Sequence, residues 1–270
     1  MTVELNRSLP DAAGPAGAGQ TGPVRAAVID AAGKHYRELN GEIRAALIAG
    51  AGRVEVRNVA GQRYLGCGLT GAGQIVIRGT PGNDLAAFMD GPEIVVHGNA
   101  QDGVGNTMNA GRVAIHGDAG DVLAHSMRGG TILVKGSVGY RAGIHMKSYA
   151  EKQPVVVIGG AARDYLGEYM AGGLLVVLGL GRPPGRLISG RFTGTGMHGG
   201  KMLLGDDLDE HLLGREVGKS ALDQDDWVEL RRHVEEYVAA FGGDAGELLA
   251  RRFIRLLPVS RRPYGQIYVY

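Results

Sequence analysis

The sequence predicts an all-β solenoid, a parallel β-helix of about seven coils with flanking N- and C-terminal helices. Three observations lead to this fold class: 47 of the 270 residues are glycine, a short apolar run closed by glycine recurs, and methionine recurs in the same register. The usual share of glycine is only about 7%, so this excess indicates a repeat. Collagen would need glycine at every third position, and a disordered linker would lack the many Ile, Val and Leu residues.

The apolar run occurs seven times, and the glycines that end its first four copies are 19 residues apart. The copies are residues 75–79, 94–98, 113–117, 132–136, 155–159, 175–179 and 202–205. This period is too short for a strand plus a crossover helix, which takes about 30 residues. It is also shorter than helical solenoid repeats, which take about 33 to 47 residues. Short strands and turns that stack at about 4.8 Å per coil fit the spacing.

Side chains alternate along a strand, so each strand is expected to contribute two columns to the inside of the coil. These columns are Ile75, Ile94, Val113 and Ile132, and Ile77, Val96, Ile115 and Val134. Tight corners need positive φ or close backbone approach, which glycine permits. The predicted structural corner glycines are Gly79, Gly98, Gly117, Gly136, Gly139, Gly143, Gly159, Gly179 and Gly205. The predicted corner column of methionines is Met89, Met108, Met127 and Met146.

The sequence divides into four predicted segments. Residues 1–25 are expected to be a flexible leader, 26–57 an N-terminal cap helix and strand, 58–205 the β-helix, and 206–270 a C-terminal helical extension and tail. The loops 147–154 and 182–191, which lengthen two of the coils, are expected to point outward.

Helical spacing identifies the flanking helices. Before the coils, Leu39, Ile43 and Leu47 recur every four residues ahead of Gly50, which predicts a helix that caps the first coil. After the coils, residues 225–241 have an apolar stripe at helical spacing. A second helix is predicted from Asp244, with the spacing of a capping box, to about Phe253. The tail after Pro258 is expected to be extended.

Two columns are expected on the outer face of the strands. One is polar and the other is apolar: Arg78, His97, His116 and Lys135, and Val76, Val95, Ala114 and Leu133. An apolar stripe on an outer face needs a cover, which either the flanks of the chain or another subunit would provide.

Charge and cysteine content restrict the partners and the compartment. The 29 basic and 28 acidic residues nearly cancel, so no nucleic-acid or membrane partner is expected. A single cysteine, Cys67, excludes an internal disulfide, an all-cysteine zinc site and a thiolate iron–sulfur cage, and it favours a cytoplasmic location. No run approaches the roughly 18 apolar residues that span a bilayer.

The sequence contains no constellation for catalysis, cofactor binding or metal binding. Matches to G-x-G-x-x-G at 17–22, 66–71 and 194–199 do not lie between a strand and a helix, so they do not predict a dinucleotide site. The eight histidines lack metal-ligand spacing, and Cys67 has no base nearby in sequence. Four aspartates are expected to be turn residues: Asp102, Asp118, Asp121 and Asp164. His145, Thr195 and His198 remain as corner residues with reactive groups, and Thr195 and His198 are the candidate site residues.

Several phrases together resemble the C-terminal domain of the large subunit of glutamate synthase, the GXGXG domain, in its stand-alone form. They are 40–44 (NGEIR), 61–66 (GQRYLG), 81–85 (PGNDL), 88–91 (FMDG), 98–103 (GNAQDG), 105–108 (GNTM), 136–146 (GSVGYRAGIHM), 167–173 (GEYMAGG) and 194–200 (GTGMHGG). The resemblance covers residues 25–270, and the eponymous glycine phrase is clearest at Gly136, Gly139 and Gly143. In other coils alanine replaces glycine, as at Ala86 and Ala124.

The resemblance implies a right-handed β-helix that joins a glutamine amidotransferase-like subunit to an FMN-binding glutamate synthase-like subunit. It implies that FMN, the iron–sulfur cluster and the nucleophilic cysteine belong to those partners, with no cofactor in this chain. The complex would be a glutamate synthase or an N-methylglutamate synthase, which the sequence does not distinguish. A related β-helix also occurs as a subunit of formylmethanofuran dehydrogenase and of formyltransferase/hydrolase complexes.

Two further hypotheses belong to other functional classes. One is an independent enzyme whose site lies at the 194–200 corner. The other is a sugar-binding β-helix, which no aromatic ladder in the sequence supports.

Overall fold

The computed structural model describes residues 25–260. The predicted leader up to residue 24, the glycine-rich match at 17–22 and the end of the tail from residue 261 lie outside this range. The described chain forms eleven strands, three α-helices and a short 3-10 helix. The strands are β1 (Ala26–Asp30), β2 (Arg53–Ala60), β3 (Gln74–Thr80), β4 (Asp90–His97), β5 (Ala110–Ile115), β6 (Thr131–Val134), β7 (Val155–Ile158), β8 (Ala171–Val177), β9 (Gly199–Leu204), β10 (Val217–Ser220) and β11 (Ile254–Pro258). The helices are α1 (Tyr36–Ile48), α2 (Gln224–Phe241) and α3 (Ala245–Leu249), and the 3-10 helix is Glu210–Leu212.

All of these strands lie in one sheet, in the order β1-β2-β3-β4-β5-β6-β7-β8-β9-β11-β10. Strands β1 to β9 pair in parallel with their neighbours in sequence, as in a coil that advances by one strand per turn. The predicted class, an all-β parallel solenoid, is therefore confirmed. The count of seven coils was slightly too high, since the seven predicted strands β3 to β9 enclose about six complete turns.

The inward columns follow the predicted alternation. Ile75 lies opposite Ile94 and Ile77 opposite Val96, and the same register continues through β5 and β6. These side chains are fully buried, as are the corner methionines Met89 and Met127. The interior of the solenoid is thus filled by stacked aliphatic and methionine side chains, so that it is a packed core and not a channel.

The corner glycines are explained mainly by close approach between successive coils. At each of the nine predicted positions, an added Cβ would lie 2.0–2.9 Å from a neighbouring atom. At Gly79 that atom is the Val59 carbonyl oxygen, at 2.1 Å, and at Gly98 it is the Gly79 carbonyl oxygen, at 2.5 Å, both in the preceding coil. Real Cβ atoms do not come this close to another heavy atom, so a larger residue would push the coils apart.

Helix α1 packs against the first coils. Its buried side chains are Leu39 and Ile43, and Leu47 packs on the same cluster of core residues. The predicted helix and its apolar spacing are therefore present, and the helix ends at Ile48, two residues before Gly50. The imidazole of His35 caps the helix by accepting from the Arg37 N–H.

At the other end of the solenoid, the sequence-based prediction needs a correction. The helix predicted from Asp244 to Phe253 ends at Leu249, although Asp244 accepts from the Glu247 N–H as predicted. The chain then forms β11, which pairs antiparallel with both β9 and β10. Hydrogen bonds to these neighbours at opposite edges keep the segment extended, and no local pattern indicates that pairing.

Helix α2 covers part of the predicted outer apolar stripe. Leu133 of β6 belongs to a second buried cluster with outward residues of β7 to β9 and with Leu230, Val234 and Tyr237 of the helix. The Tyr237 hydroxyl also donates to the Lys135 carbonyl oxygen at 3.1 Å. The flank of the chain thus provides the cover that this part of the stripe requires, in agreement with one of the two predicted possibilities.

A buried carboxylate anchors the start of α2. Asp226 is 1% exposed and accepts from Lys201 Nζ and from the Arg255 guanidinium, both at 2.7 Å. It also forms a capping box with Asp223. Because a buried charge must be paired, these contacts fix the helix to β9 and β11 at once. No helix within residues 25–260 has the length and apolarity needed to cross a membrane.

Candidate functional site

One face of the solenoid has an unusual backbone, which we call the turn face. It consists of seven five-residue segments, one before each of the strands β3 to β9: 64–68, 84–88, 103–107, 122–126, 141–145, 165–169 and 192–196. In every segment the first, third and fifth residues have positive φ, between +51° and +75°. We call these the first, middle and last positions of the segment. Eight of these 21 positions hold glycine, and thirteen hold another residue.

The backbone N–H groups of the three left-handed residues in a segment point alternately toward the following and the preceding coil. In segment 84–88, the N–H groups of Asp84 and Phe88 donate to the following coil, to Asp102 and Asn106 carbonyls at 2.9 and 2.8 Å. The N–H of Ala86 donates to the preceding coil, at 2.8 Å from the Leu65 carbonyl. Left-handed residues therefore provide the hydrogen bonds that hold the coils together where no β-strand is present.

The middle position of each segment points into the core and must be small. An added Cβ on Gly66 would lie 2.6 Å from Ile94 Cδ1, and one on Gly105 would lie 2.3 Å from Ile132 Cδ1. Ala86 and Ala124 occupy this position in two other coils and are fully buried. The need for a small residue explains why alanine replaces glycine at the middle position of the repeated motif in some coils.

The first and last positions point outward and form two columns on the surface. The first-position column is Tyr64, Asp84, Gly103, Val122, Arg141, Tyr165 and Phe192, and the last-position column is Gly68, Phe88, Thr107, Ser126, His145, Tyr169 and Gly196. Residues in each column interact from coil to coil. The rings of Tyr165 and Phe192 stack at 5.0 Å, and those of His145 and Tyr169 at 5.3 Å.

Polar side chains between the two columns pair with one another. Arg141 donates to Glu168 at 2.9 Å and lies over the Tyr165 ring at 4.6 Å. Asn106 donates to Asp84 at 3.2 Å, and its own oxygen lies 3.3 Å from His125 Nδ1. Burial lowers the pKa of His125, and the neighbouring His145 acts in the same direction. These polar side chains are thus paired with one another.

The two candidate site residues, Thr195 and His198, lie at the final turn-face segment. The Thr195 hydroxyl donates to the Phe192 carbonyl at 3.0 Å, and His198 Nδ1 lies 3.1 Å from the Gly196 carbonyl oxygen. Both side chains are therefore bonded to the backbone of their own turn. Among the hydrogen bonds of the described residues, none joins Thr195 to His198, so the pair does not form a nucleophile–base arrangement.

The predicted turn aspartates have a second role between coils. The N–H of Asp121 donates to Asp102 Oδ1, and the N–H of Tyr140 donates to Asp121 Oδ1, both at 2.8 Å. The same pattern links Asp118 to Ser137 and Asp164 to Arg191. A glycine precedes each of these donors, and its missing Cβ leaves the space that the carboxylate occupies. These aspartates are therefore engaged in holding one coil to the next.

The remaining candidates are placed as structural groups. His97 and His116 stack at 4.6 Å on the outer sheet face, and burial, with the positive charges nearby, lowers the pKa of each. Burial likewise raises the pKa of the Cys67 thiol, which makes the reactive thiolate scarcer. Cys67 lines a shallow groove beside α1 with Arg37, Arg44 and Tyr64. Within residues 25–260, no group of three or more His, Cys, Asp or Glu side chains is placed to hold a metal ion.

The sequence-based interpretation missed two features of this face. The methionine column extends beyond the four predicted members, since Met170 and Met197 occupy the same position after their segments and are fully buried. The lengthened coils concealed this continuation. The positive φ of non-glycine residues such as Tyr64 and Phe88 was not predicted from the sequence, because such residues rarely adopt this conformation.

The stacked parallel strands and the repeated left-handed turns define the class of protein, a β-solenoid with a left-handed turn motif before each of the strands β3 to β9. Residues 50–259 match the GXGXG motif family, and the chain belongs to that family. This match confirms the resemblance seen in the sequence.

One known protein resembles this chain in sequence and another in fold. The uncharacterized protein MJ1350 of Methanocaldococcus jannaschii is 44% identical over 222 residues, which cover 80% of this chain and 85% of the relative. Among solved structures, a chain of the formyltransferase/hydrolase complex (FhcABCD) from Methylorubrum extorquens, crystallised in complex with methylofuran, has a TM-score of 0.60. That chain is 20% identical, with 84% of this chain and 89% of the other covered, so the likeness is one of fold.

Proposed function

We propose that this chain is a scaffold subunit, without a catalytic site of its own, in a cytoplasmic complex of the glutamate synthase type. It would join a glutamine amidotransferase-like subunit to an FMN-binding glutamate synthase-like subunit. Membership of the GXGXG family supports the proposal, as does the likeness in fold to one chain of a larger complex. The chemistry of the complex, with FMN and an iron–sulfur cluster, would belong to the partner subunits.

The observation that carries the proposal is how the polar side chains are used. Five polar side chains of the turn face and the corners each form a hydrogen bond to their own coil or to a neighbouring one. They are Asp121, Asp164, Glu168, Thr195 and His198. A catalytic group must instead be free to exchange a proton or attack a substrate. A rigid, self-satisfied rod is suited to holding two other subunits at a fixed distance.

A second candidate is a subunit of a formyltransferase/hydrolase-type complex. The likeness in fold to a chain of the complex from Methylorubrum extorquens favours it. The two candidates share the scaffold role and differ in the partner subunits. Identifying those subunits therefore separates the candidates.

The test is purification of the complex through a tag on this chain, expressed at its native level in its own cell. Mass spectrometry is expected to identify an amidotransferase-like chain and a flavoprotein in fixed ratio, and the absorbance of the complex is expected to show flavin. A formyltransferase-like set of chains would support the second candidate instead. If the tagged protein is recovered alone, the scaffold proposal is wrong.

A paired substitution addresses the hypothesis of an independent enzyme. Thr195→Ala together with His198→Ala removes both candidate groups at the 194–200 corner. We expect the complex that carries the double variant to keep its turnover, because the scaffold contributes no reacting group. Loss of turnover with an unchanged melting temperature and unchanged partner content would instead place a site at this corner.

A further inference from the structure

The turn face presents side chains at positions where glycine would be easier to accommodate. Eleven of its outward positions, in the first-position and last-position columns, hold residues other than glycine in left-handed conformation. Gly68, Gly103 and Gly196 occupy equivalent positions, so the backbone accepts glycine there. Left-handed conformation is unfavourable for residues with a Cβ, and such strain is retained where the side chains serve a purpose. These side chains therefore have a role that glycine could not fill.

The composition of the outward positions is that of a binding surface. Tyr64, Phe88 and Phe192 are 38%, 54% and 48% exposed, although aromatic side chains of this size are usually more buried. Tyr165 and Tyr169 stack in the same columns. Aromatic residues in line with paired polar groups are typical of the centre of an interface.

The chain leaves the described part of the structure beside this surface. Strand β11 runs antiparallel to β9, so its C-terminal end lies beside the N-terminal end of β9. The N-terminal end of β9 directly follows the turn-face segment 192–196. The N–H of Val259 donates to the Glu216 carbonyl at 2.8 Å. The Glu216 carboxylate in turn accepts from the N–H of Gly196, in the final turn-face segment, at 2.9 Å. The segment that follows Ser260 therefore starts next to the C-terminal end of the two columns.

The length and composition of residues 261–270 match the surface. Fully extended, ten residues span about 33 Å, while the six coil steps from segment 192–196 to segment 64–68 span about 29 Å at about 4.8 Å each. The segment contains Tyr264, Tyr268 and Tyr270 together with Ile267 and Val269, and it has no acidic side chain. Its aromatic and β-branched residues favour an extended conformation with an apolar face.

We propose that residues 261–270 bind in cis along the turn face, with their tyrosines against its two outward columns. This inference does not depend on the proposed function, since it concerns contacts within one chain. The occupant is a segment of the same polypeptide because that segment begins at the surface and needs no association to reach it. Its local concentration there is correspondingly high.

Thiol labelling of the full-length chain tests the proposal. Cys67→Ser removes the native thiol, and Ser126→Cys then places a single thiol in the last-position column. Thr131→Cys, a half-buried position at the start of β6 on the outer sheet face, gives the matched control thiol. Each of these two single-thiol proteins is prepared in two forms, one with the native residues 261–270 and one that carries all three substitutions Tyr264→Ser, Tyr268→Ser and Tyr270→Ser. The labelling rates of the two forms are then compared.

We expect the tail substitutions to accelerate labelling at position 126 by about fivefold or more, with little change at position 131, because a bound segment protects only the surface beneath it. The effect should be independent of protein concentration. Equal rates at position 126 with and without the tail tyrosines would overturn the proposal. Protection that increases with concentration would assign the surface to a second copy, and protection that appears only on addition of partner subunits would assign it to them. Circular dichroism of every variant verifies that the fold is retained.

Discussion

At the scale of single residues, the fold depends on left-handed backbone at regular intervals. In the turn face, position determines whether a side chain is tolerated: the middle residue points into the core, and the outer two point to solvent. Gly105 and Gly68 illustrate the difference. Both have positive φ, +70° and +61°, but only at Gly105 would an added Cβ meet another atom within 4 Å.

Substitution of these two glycines separates backbone strain from steric overlap. Gly68→Ala is expected to cost about 1–2 kcal/mol, since only the left-handed conformation opposes it. Gly105→Ala is expected to cost about 1–3 kcal/mol more, because its Cβ would lie 2.3 Å from Ile132 Cδ1. Urea unfolding measures both costs. In an Ile132→Val background, which lacks Cδ1, the difference should shrink, and equal costs in the native background would contradict the packing argument.

The methionine column provides a second prediction at this scale. Met127 is fully buried between coils. Met127→Lys is expected to destabilise the protein by about 3–5 kcal/mol, since an ammonium group would have to be buried or the corner opened. Met127→Leu, which nearly conserves volume, should cost less than about 1.5 kcal/mol. A melting temperature that Met127→Lys leaves unchanged would show that this corner is open to solvent.

At the scale of elements, α2 is held to the sheet by contacts of two kinds. Leu230 and Val234 pack on the outer apolar stripe, and Tyr237 adds a hydrogen bond to the Lys135 carbonyl. Asp226 pairs with Lys201 and Arg255 at the start of the helix. The apolar contacts provide most of the attraction and the polar contacts determine where along the sheet the helix lies.

The tyrosine makes the attachment of α2 sensitive to alkaline pH. Burial raises the pKa of Tyr237 from its ordinary value of 10.0 to about 12. Its protonated form is therefore favoured by folding, and the associated stability is complete below pH 10 and is lost as pH rises toward 12. Between pH 8 and pH 11, the native protein should lose about 1 kcal/mol more stability than Tyr237→Phe. Urea unfolding of both proteins at each pH measures this difference, and identical pH profiles would show that the hydroxyl is solvated.

At the scale of the whole molecule, the protein is a stack whose ends must be closed. Each coil contacts mainly its neighbours, so the first and last coils would otherwise expose the core. Leu39 and Ile43 of α1 cover the first coils. Leu208, Leu212 and Val217 pack on the same core near the last coil, where Val217 Cγ2 lies 2.3 Å from the position of a Cβ on Gly194. The flanking segments are thus part of the folding unit.

Two isoleucines of α1 test the role of this cap. Ile43 is almost fully buried, whereas Ile48 is 80% exposed. Ile43→Ala is expected to cost about 2–5 kcal/mol and to loosen the first coils. Ile48→Ala should change stability by less than about 0.5 kcal/mol. Thermal unfolding measures the costs, and hydrogen exchange in β2 and β3 should increase only in Ile43→Ala. Similar costs for the two substitutions would mean that α1 does not cap the coils.

Much of this architecture was accessible from the sequence, because a solenoid repeats its local pattern. The spacing of Gly79, Gly98, Gly117 and Gly136 was enough to predict the parallel stack and the direction in which the strand residues face. The helices α1 and α2 were predicted from apolar spacing for the same reason: both signals are local in sequence.

The features that the sequence did not predict depend on contacts between distant parts of the chain. The strand β11 forms because two edges that are far from it in sequence accept it, as in the pairs of Ile254 with Leu204 and of Ser220 with Arg255, and nothing near Ile254 specifies those neighbours. Likewise, residues such as Tyr64 and Phe88 adopt positive φ because hydrogen bonds to adjacent coils impose it against their own preference. A sequence encodes local periodicity directly, whereas conformations imposed by neighbours exist only once the coils are stacked.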